Sequence, residues 1–445
     1  MTDVLVVGGG VAGLVAARAA VLAGSDVALV EASTRLGGAV AGEEVAGLRL
    51  DTGAESVAAR GGAALDLLAA LELPVVAPAE HGAWLETANG AHPLPAAGVL
   101  GIPGSPLADD VRAVIGGRAS IRAWLDRVLP LLTVGREQNL GALVRRRMGP
   151  AVLDSLVAPV VANVYAVDPD EAEVDSLAPG LNGALTRTGS LSAAVLQLRE
   201  SAPAGSAVKG IDGGMHALVA ALERDLARFG VDVRTRTPVT SIRRSDDGWR
   251  ATTDEDVLHA DRIVVAIDGD AARGLLAPLL PGLLEEWPAP HRTVVVTLVV
   301  DAPALDTAPR GSGVLVAPGV GGVTAGALTH SSAKWPWLAA QLPASRHALR
   351  LSYRGPAADL ASESTALADA ARLLGVPRDE LRVVGSAVSD WRQESQRALL
   401  GMRRRIEDVR SAVAELAGLE VTGAWVAGTG LASVIADADR AGRAV

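Results

Sequence analysis

The segment "VLVVGGGVAG" (residues 4–13) runs from an apolar strand through a glycine turn into the start of a helix. The turn has the spacing G-x-G-x-x-G and is formed by Gly8, Gly9, Gly10, Val11, Ala12 and Gly13. In this spacing the first glycine permits a tight turn, the second lets the backbone approach a pyrophosphate, and the third lets the helix pack closely on the strand. The helix N-terminus adds free N–H groups and a partial positive charge, which favour an anion. The segment therefore predicts the start of a dinucleotide-binding α/β domain.

A second predicted strand, residues 27–30, leads into Glu31 and Ala32. A carboxylate at the end of this strand can accept hydrogen bonds from the hydroxyl groups of a ribose. Strand, helix, second strand and acid together favour a dinucleotide over the alternative, which is a tight glycine turn in an unrelated α/β domain.

The composition limits the class of protein. At 445 residues the chain is too long for one ordinary hydrophobic core, so we expect two domains. A formal net charge of −10 argues against nucleic-acid binding, which needs a basic face. The chain has no cysteine and its histidines lack the spacing of metal ligands, so no metal site is predicted. No apolar run reaches the roughly 18 residues of a membrane span. We expect a cytoplasmic protein without a transmembrane segment, for which a peripheral membrane contact stays open.

Two segments around the second strand resemble the flavin amine oxidase superfamily. They are "EASTRLGGAV" (31–40), which carries an R-x-G-G continuation, and "LDTGAES" (50–56). The resemblance implies FAD as the cofactor rather than NAD. It also implies that residues of both segments lie along the diphosphate and ring system of the flavin, namely Arg35, Gly38, Ala39, Gly53, Ala54, Glu55 and Ser56.

The same resemblance implies contacts from distant parts of the chain. A glycine turn near the chain end would cap the flavin through Gly430, Leu431, Ala432 and Ser433. A helix dipole at that place would stabilise the anionic reduced flavin. Val239 matches a position whose backbone meets the adenine, and Trp391 matches a position near the flavin. The alternatives are a strand and helix that only complete the sheet, and a tryptophan of the hydrophobic core.

Further segments resemble the bacterial protoporphyrinogen and coproporphyrinogen III oxidases within this superfamily. They are "ANVYAVDPDEAEVDSLAP" (162–179), "KGIDGGMHALVAAL" (209–222), "GVLVAP" (313–318) and "THSSAKWPW" (329–337). The resemblance implies an oxidase of haem biosynthesis that dehydrogenates a porphyrinogen, with coproporphyrinogen III expected. Hydride equivalents would pass to flavin N5, and molecular oxygen would reoxidise the flavin and give hydrogen peroxide.

The matched segments predict an α/β chain in which a Rossmann-like FAD-binding domain is interleaved with an α+β substrate domain. The FAD-binding domain is predicted from residues 1–78, 205–275 and 400–445. Residues 79–204 are predicted to form a helical region on the substrate or membrane side. Residues 276–399 are predicted to form an antiparallel sheet, with strands at 293–300, 313–317, 322–330, 347–353 and 381–388. The apolar residues 423–427 are predicted to be a strand that enters the C-terminal turn.

Lys334 is the predicted catalytic side chain, although the flavin would carry most of the chemistry. It is one of two lysines in the chain and belongs to the S-x-K-W-P match. A lysine near a flavin can raise its electron affinity or bind a substrate carboxylate. A surface lysine in a hairpin is the alternative. Arg60 is a second candidate for a carboxylate contact, with an exposed arginine as its alternative.

The chain also departs from the family pattern. Where the relatives usually have P-Q-Y-x-x-G-H, residues 394–402 read "ESQRALLGM" and keep Gly401 alone. The chain has one phenylalanine and two tyrosines, which reduces the aromatic surface for a flat macrocycle. Two alternatives therefore stay open: another oxidase or desaturase of the superfamily, and a non-catalytic member that binds flavin or porphyrin. The sequence leaves monomer and homodimer open.

Overall fold

A computed structural model describes residues 2–59, 61–129, 138–200, 208–394 and 396–445. Arg60 and the predicted domain boundary near residue 205 lie outside the described residues. The strands are, in chain order, β1 (Thr2–Val7), β2 (Val27–Val30), β3 (Gly42–Val45), β4 (Leu48–Asp51), β5 (Val57–Ala58), β6 (Val75–Val76), β7 (Trp84–Thr87), β8 (Gly90–Pro93), β9 (Gly98–Val99), β10 (Ile102–Pro103), β11 (Val208–Ile211), β12 (Asp232–Arg234), β13 (Val239–Ser245), β14 (Gly248–Thr253), β15 (Val257–Val265), β16 (His291–Asp301), β17 (Gly313–Val316), β18 (Ala327–His330), β19 (Arg346–Arg354), β20 (Arg382–Gln393) and β21 (Leu419–Val421).

The helices contribute most of the remaining regular structure. They are α1 (Val11–Leu22), α2 (Ala63–Ala70), α3 (Asp109–Trp124), α4 (Leu140–Met148), α5 (Pro150–Val152), α6 (Ala158–Tyr165), α7 (Val174–Leu177), α8 (Leu181–Thr188), α9 (Leu191–Glu200), α10 (Ala217–Arg228), α11 (Gly269–Leu276), α12 (Ser331–Lys334), α13 (Pro336–Gln341), α14 (Glu363–Leu374), α15 (Met402–Ala414), α16 (Ala424–Ala427) and α17 (Leu431–Ala444). Among the described residues, no helix is both long and apolar enough to cross a bilayer.

The first sheet is the predicted Rossmann-like one. Its order is β12-β2-β1-β15-β14-β13, and β21 also pairs with β15. β1 pairs in parallel with β2 and β15, as a dinucleotide-binding sheet requires. Since β1, α1 and β2 follow one another as predicted, the βαβ unit is confirmed.

The last helix packs directly on the first. α1 is buried around most of its circumference by alanine, valine and leucine. α17 lies against it so closely that a Cβ on Gly442 would come within 2.2 Å of the carbonyl oxygen of Ala16. The end of α17 therefore packs on the middle of α1.

The second sheet is antiparallel apart from one pair, with the order β20-β16-β19-β18-β17-β7-β8. Four of its predicted strands are confirmed by β16, β17, β19 and β20. The strand predicted at 322–330 is shorter, because β18 begins only at Ala327. Residues 319–326 contain four glycines, which favour a loop, and the carboxylate of Asp369 binds the N–H groups of Thr324 and Ala325.

The region predicted to be helical contains α3 to α9 and a core of buried leucines and valines. It also contributes β7 and β8 to the edge of the second sheet, which the sequence prediction missed. Two- and four-residue strands carry too few residues for a periodic pattern to show. The division of the chain into domains stays a prediction.

The end of the chain corrects one prediction. The strand near the C-terminus is β21, and residues 424–427 form the single helical turn α16 instead of the predicted strand. Gly423 (φ 115°) and Gly428 (φ 94°) bound this turn, and both adopt a backbone conformation that breaks a strand.

Candidate functional site

A cavity of about 450 Å³ lies between the C-terminal ends of the first sheet and one face of the second. Nine residues that the sequence predicts to bind the cofactor line it, namely Gly10, Val11, Ala12, Gly38, Ala39, Gly53, Ala54, Trp391 and Leu431. They come from five separate stretches of the chain. The structure therefore brings the predicted motifs together at one place.

The N-terminal turn is packed too tightly for side chains. A Cβ on Gly8 (φ 110°) would lie 2.4 Å from the carbonyl oxygen of Ala266, and one on Gly13 would lie 1.8 Å from that of Gly8. Gly10 is the N-cap of α1, and no side chain caps the helix start. The first N–H groups of α1 thus face the cavity, where they can bind an anion.

Glu31 lies at the end of β2, next to the turn. Its carboxylate accepts hydrogen bonds from the N–H groups of Gly9 (2.6 Å) and Ser33 (2.8 Å). The backbone carbonyl of Glu31 accepts a hydrogen bond from Thr237, two residues before Val239. Ala32 is exposed beside the carboxylate. Neither Val239, which begins β13 two residues after this contact, nor Glu31 lines the cavity.

Two loops form the next part of the wall. The N–H of Ala54 donates to the carbonyl oxygen of Ala39 (2.9 Å), and a Cβ on Gly53 would lie 1.9 Å from the same oxygen. Arg35 fixes the first loop through a hydrogen bond from Nη1 to the carbonyl oxygen of Gly38 (3.0 Å).

Trp391 connects these loops to the second sheet. Its Nε1 donates to the carbonyl oxygen of Thr52 (2.8 Å). The guanidinium carbon of Arg35 lies 5.5 Å from the centre of its ring, within the range of a cation–π contact. Trp391 thus lines the cavity and holds one loop directly and the other through Arg35.

The C-terminal turn completes the wall. Gly430 is the N-cap of α17, again without a side-chain cap, and Thr429, Leu431 and Val434 line the cavity. Gly430 itself accepts a hydrogen bond from the N–H of Ser433 (2.9 Å). Gly430, Ala432 and Ser433 belong to the helix start without being lining residues. Two uncapped helix starts, those of α1 and α17, therefore face one cavity.

Glu55 and Lys334 lie beside the cavity rather than in its wall. Lys334 Nζ is 3.5 Å from Glu55 Oε2, and Trp335 Nε1 donates to Glu55 Oε1 (2.8 Å). Arg350 donates to Glu55 Oε2 (3.1 Å) and to the carbonyl oxygen of Gly53 (2.7 Å). We call Glu55, Lys334, Trp335 and Arg350 the Glu55 cluster. The catalytic role of Lys334 stays a prediction. Its position favours an effect on the cavity that is exerted through Glu55 and Arg350.

Ser56 is the next residue after Glu55 and does not line the cavity.

Opposing effects set the charge of Glu55. Burial acts to raise its pKa, but the charges of Lys334 and Arg350 and hydrogen bonds from Trp335 and Ser331 lower the pKa from the ordinary 4.5 to about 2. The carboxylate is therefore ionised at neutral pH and balances buried positive charge.

Sequence reasoning missed the polar face of the second sheet. Arg350, Ser352 and Arg354 alternate along β19 and line the cavity, while Leu351 and Tyr353 between them are buried on the other face. This alternation is visible in "LRLSYR" (349–354), and a period of two in a strand indicates two different faces. Other missed lining residues come from loops, from strands β16 and β20 and from helices α16 and α17, namely Val40, Ala266, Ile267, Asp268, Thr293, Val295, Arg392, Glu394, Gly423, Ala424, Thr429 and Val434. Gly37, in the R-x-G-G match, also lines the cavity.

Comparison with known proteins identifies the family of the chain. Residues 11–445 match the family described as flavin containing amine oxidoreductase. The chain belongs to this family. It is 30% identical to a coproporphyrinogen III oxidase of Mycobacterium leprae over 98% of this chain and 96% of that one. It is 26% identical to a coproporphyrinogen III oxidase of Bacillus subtilis over 97% of this chain and 95% of that one. The predicted resemblance is confirmed.

A solved structure of a similar protein supports the same assignment. A protein from Exiguobacterium sp. 255-15, proposed to be a protoporphyrinogen oxidase, aligns with a TM-score of 0.85 at 26% identity. The alignment covers 98% of this chain and 97% of that one. The predicted fold class is thereby confirmed, and the chain is an FAD-dependent oxidoreductase.

The residues present fit FAD. Gly10 and Gly38 leave the cavity wall open, since the Cα of each is the nearest atom that a Cβ on the other would meet. The start of α1 offers N–H groups to a diphosphate, with the Glu31 carboxylate beside it for a ribose. The start of α17 offers a second positive helix end for an electron-rich edge of the flavin. The residues that would hold the cofactor are therefore those of the two turns and the two loops.

Proposed function

We propose that the protein oxidises coproporphyrinogen III to coproporphyrin III in haem biosynthesis, using FAD and molecular oxygen and releasing hydrogen peroxide. The single observation that carries the proposal is the composition of the cavity. It joins a flavin-binding wall of backbone groups to a sheet face with arginine side chains. A reduced tetrapyrrole with carboxylate side chains needs both a hydride acceptor and cationic partners.

The names of the relatives support the substrate. The Mycobacterium leprae and Bacillus subtilis proteins are coproporphyrinogen III oxidases, and both align with nearly the whole chain. The same proposal places the protein in the cytoplasm, because the substrate class carries several charges and is water-soluble.

Bound FAD would supply the chemistry by accepting hydride equivalents at N5, and oxygen would reoxidise it. The residues of this chain contribute by binding and orienting the cofactor and the substrate. The uncapped starts of α1 and α17 bind and polarise the cofactor, and Trp391 holds the loops that face it. The sheet face orients the substrate against this wall and excludes water, so that reacting atoms are held at a fixed distance. No side-chain base is required, since pyrrole N–H groups can release their own protons.

The cavity argues against an amine oxidase with an aromatic cage. Trp391 is the single aromatic side chain among the described residues that line it.

The test is porphyrin fluorescence over time in air with FAD-loaded protein and coproporphyrinogen III. We expect a rise well above a control without enzyme, accompanied by oxygen consumption and by hydrogen peroxide in equal amount. Protoporphyrinogen IX should react more slowly. A protein that carries yellow flavin and gives no rise with either porphyrinogen would refute the proposal and favour a binding role. A rise without hydrogen peroxide would refute oxygen as the electron acceptor.

A further inference from the structure

The segment in which the chain departs from the family pattern is attached to two other parts of the molecule. At its beginning, the carboxylate of Glu394 accepts a hydrogen bond from the N–H of Gly269 (2.8 Å), at the start of α11. Further along, Leu399 forms an isolated β-bridge with Ala172 of the helical region. These two attachments lie on either side of Arg397 in the chain.

Arg397 joins this segment to the end of α16, just before the C-terminal turn. Its Nη1 donates to the carbonyl oxygens of Ala427 (2.7 Å) and Val426 (3.4 Å). The last carbonyls of a helical turn have no partner within it, so a donor from elsewhere in the chain satisfies them. The carbon stem of the side chain lies against Gly428, where a Cβ would come within 3.2 Å of Arg397 Cδ. Arg397 therefore holds α16 through both its guanidinium and its stem.

Both α16 and the start of α17 belong to the wall of the cavity. Ala424 lines the cavity at the beginning of α16. Thr429 and Leu431 line it on either side of Gly430, the N-cap of α17. Since only two residues lie between the end of α16 and this N-cap, a displacement of α16 would also move the start of α17.

We infer that Arg397 is a positioning residue for the cofactor, which holds the C-terminal turn so that the start of α17 faces the flavin. Arg397 does not line the cavity and acts through α16. A positive helix end beside the flavin favours the anionic reduced form, so correct placement of α17 raises the reduction potential as well as the affinity for FAD. The inference goes beyond the proposed function, because it concerns the cofactor and holds for any substrate.

The experiment compares the FAD-loaded wild type with FAD-loaded Arg397→Met, in which the stem is largely kept and the guanidinium is removed. The rate of FAD release is followed by flavin fluorescence after dilution, and the reduction potential of the bound flavin is measured against reference dyes. We expect release to be roughly 3- to 30-fold faster, as for the partial transmission of one lost hydrogen bond from a charged donor. The potential should become more negative.

Arg199→Met is the matched control. Arg199 also donates through one Nη1 to two backbone carbonyl oxygens, those of Ala96 and Gly98 (3.1 Å), and does not line the cavity. This variant should lose a similar amount of stability in urea unfolding and keep the wild-type rate of FAD release and reduction potential. Arg397→Lys can donate to one carbonyl at a time, so its rate of release should lie between those of the wild type and Arg397→Met.

Three results would overturn the inference. One is a wild-type release rate and potential in Arg397→Met. The second is equally faster release in Arg199→Met, because a general loss of stability would then explain the effect. The third is faster release from Arg397→Met with an unchanged potential, because the start of α17 would then keep its place beside the flavin.

If Arg397→Met does not fold with FAD, Arg397→Lys carries the test against Arg199→Lys. A wild-type release rate and potential in Arg397→Lys would then overturn the inference. The porphyrin fluorescence assay separates the two proposals. A wild type that holds FAD and gives no porphyrin refutes the proposed function, while the release rates and potentials still decide the role of Arg397.

Discussion

The two walls of the cavity are built from different groups. The wall toward the first sheet consists mainly of backbone, at Gly10, Gly38 and Gly53, and its chemistry comes from helix starts. The wall toward the second sheet consists mainly of side chains, with Arg350 and Arg354 on β19. In the backbone wall a Cβ on Gly53 would lie 1.9 Å from the carbonyl oxygen of Ala39, so atoms cannot be added there. The side-chain wall depends on how its charges are balanced. Substitutions in the first wall should therefore act through steric clashes, and substitutions in the second wall through unbalanced charge.

The largest effect is expected at Gly13, in the glycine turn that supports the backbone wall. Gly13→Ala would bring a Cβ within 1.8 Å of the carbonyl oxygen of Gly8, which the turn cannot avoid by moving a side chain. We expect a loss of roughly 3 kcal/mol or more in the free energy of unfolding, together with loss of bound FAD. Flavin absorbance and thermal unfolding of the purified protein measure both.

Gly117 is the matched control for Gly13. It is also a helical glycine, in α3, and a Cβ there meets no atom within 4 Å. Gly117→Ala should be neutral or stabilise the protein by up to about 1 kcal/mol, since alanine favours a helix. A Gly13→Ala protein that keeps its flavin and its melting temperature would contradict the close packing of the turn.

The second effect is expected at Glu55, beside the side-chain wall. Glu55→Gln removes the negative charge that balances Lys334 and Arg350 and should cost about 3 kcal/mol at neutral pH, since each unit of pKa shift is worth about 1.4 kcal/mol. Thermal or urea unfolding of the two proteins measures the difference. Asp359→Asn, at an exposed pair with Arg292, is the control and should cost less than about 1 kcal/mol. Equal losses of stability at both sites would show that the negative charge of Glu55 does not stabilise the Glu55 cluster.

The same carboxylate predicts a dependence on pH. The unfolded chain takes up a proton at Glu55 near pH 4.5, while the folded protein keeps this group ionised down to about pH 2. The contribution of Glu55 to stability is thus complete above pH 4.5 and is lost as the pH falls toward 2. The difference in unfolding free energy between wild type and Glu55→Gln should shrink by more than half by about pH 3. A difference that stays constant from pH 7 to pH 3 would exclude the lowered pKa.

The smallest effect is expected at Trp391, where the two walls meet. Trp391→Phe keeps an aromatic ring beside Arg35 and loses the hydrogen bond from Nε1 to Thr52. We expect a loss of about 1 kcal/mol, seen as faster release of FAD and a slightly lower melting temperature. Trp124, which is exposed on α3, offers the control, and Trp124→Phe should leave FAD release unchanged. If both variants release FAD at the wild-type rate, Trp391 does not support the loops.

The backbone wall could be predicted from the sequence because its requirements are local. The spacing of Gly8, Gly10 and Gly13 and the acid at Glu31 lie within one βαβ unit, and each glycine has a steric reason that holds wherever the unit occurs. The C-terminal turn was predicted from resemblance, although the residues before it are a helical turn rather than a strand. Only the tertiary structure shows that residues of both turns line one cavity.

The side-chain wall could not be predicted in the same way. Glu55 was predicted as a cofactor contact. It lies in a cluster with Lys334, which is 279 positions away in the chain, because the fold brings the loop after β4 against the end of α12. Arg354 is anchored by carbonyls of α6, which nothing near it in the sequence indicates.

The sequence by itself determined the FAD-binding unit, the family and the approximate strands of both sheets, because glycine sterics and side-chain periodicity act over a few residues. Only the tertiary structure decided which charges meet at the cavity. Long-range packing sets the distance between a cation and its partner, as between Arg350 and Glu55, and that distance decides how strongly the two charges interact.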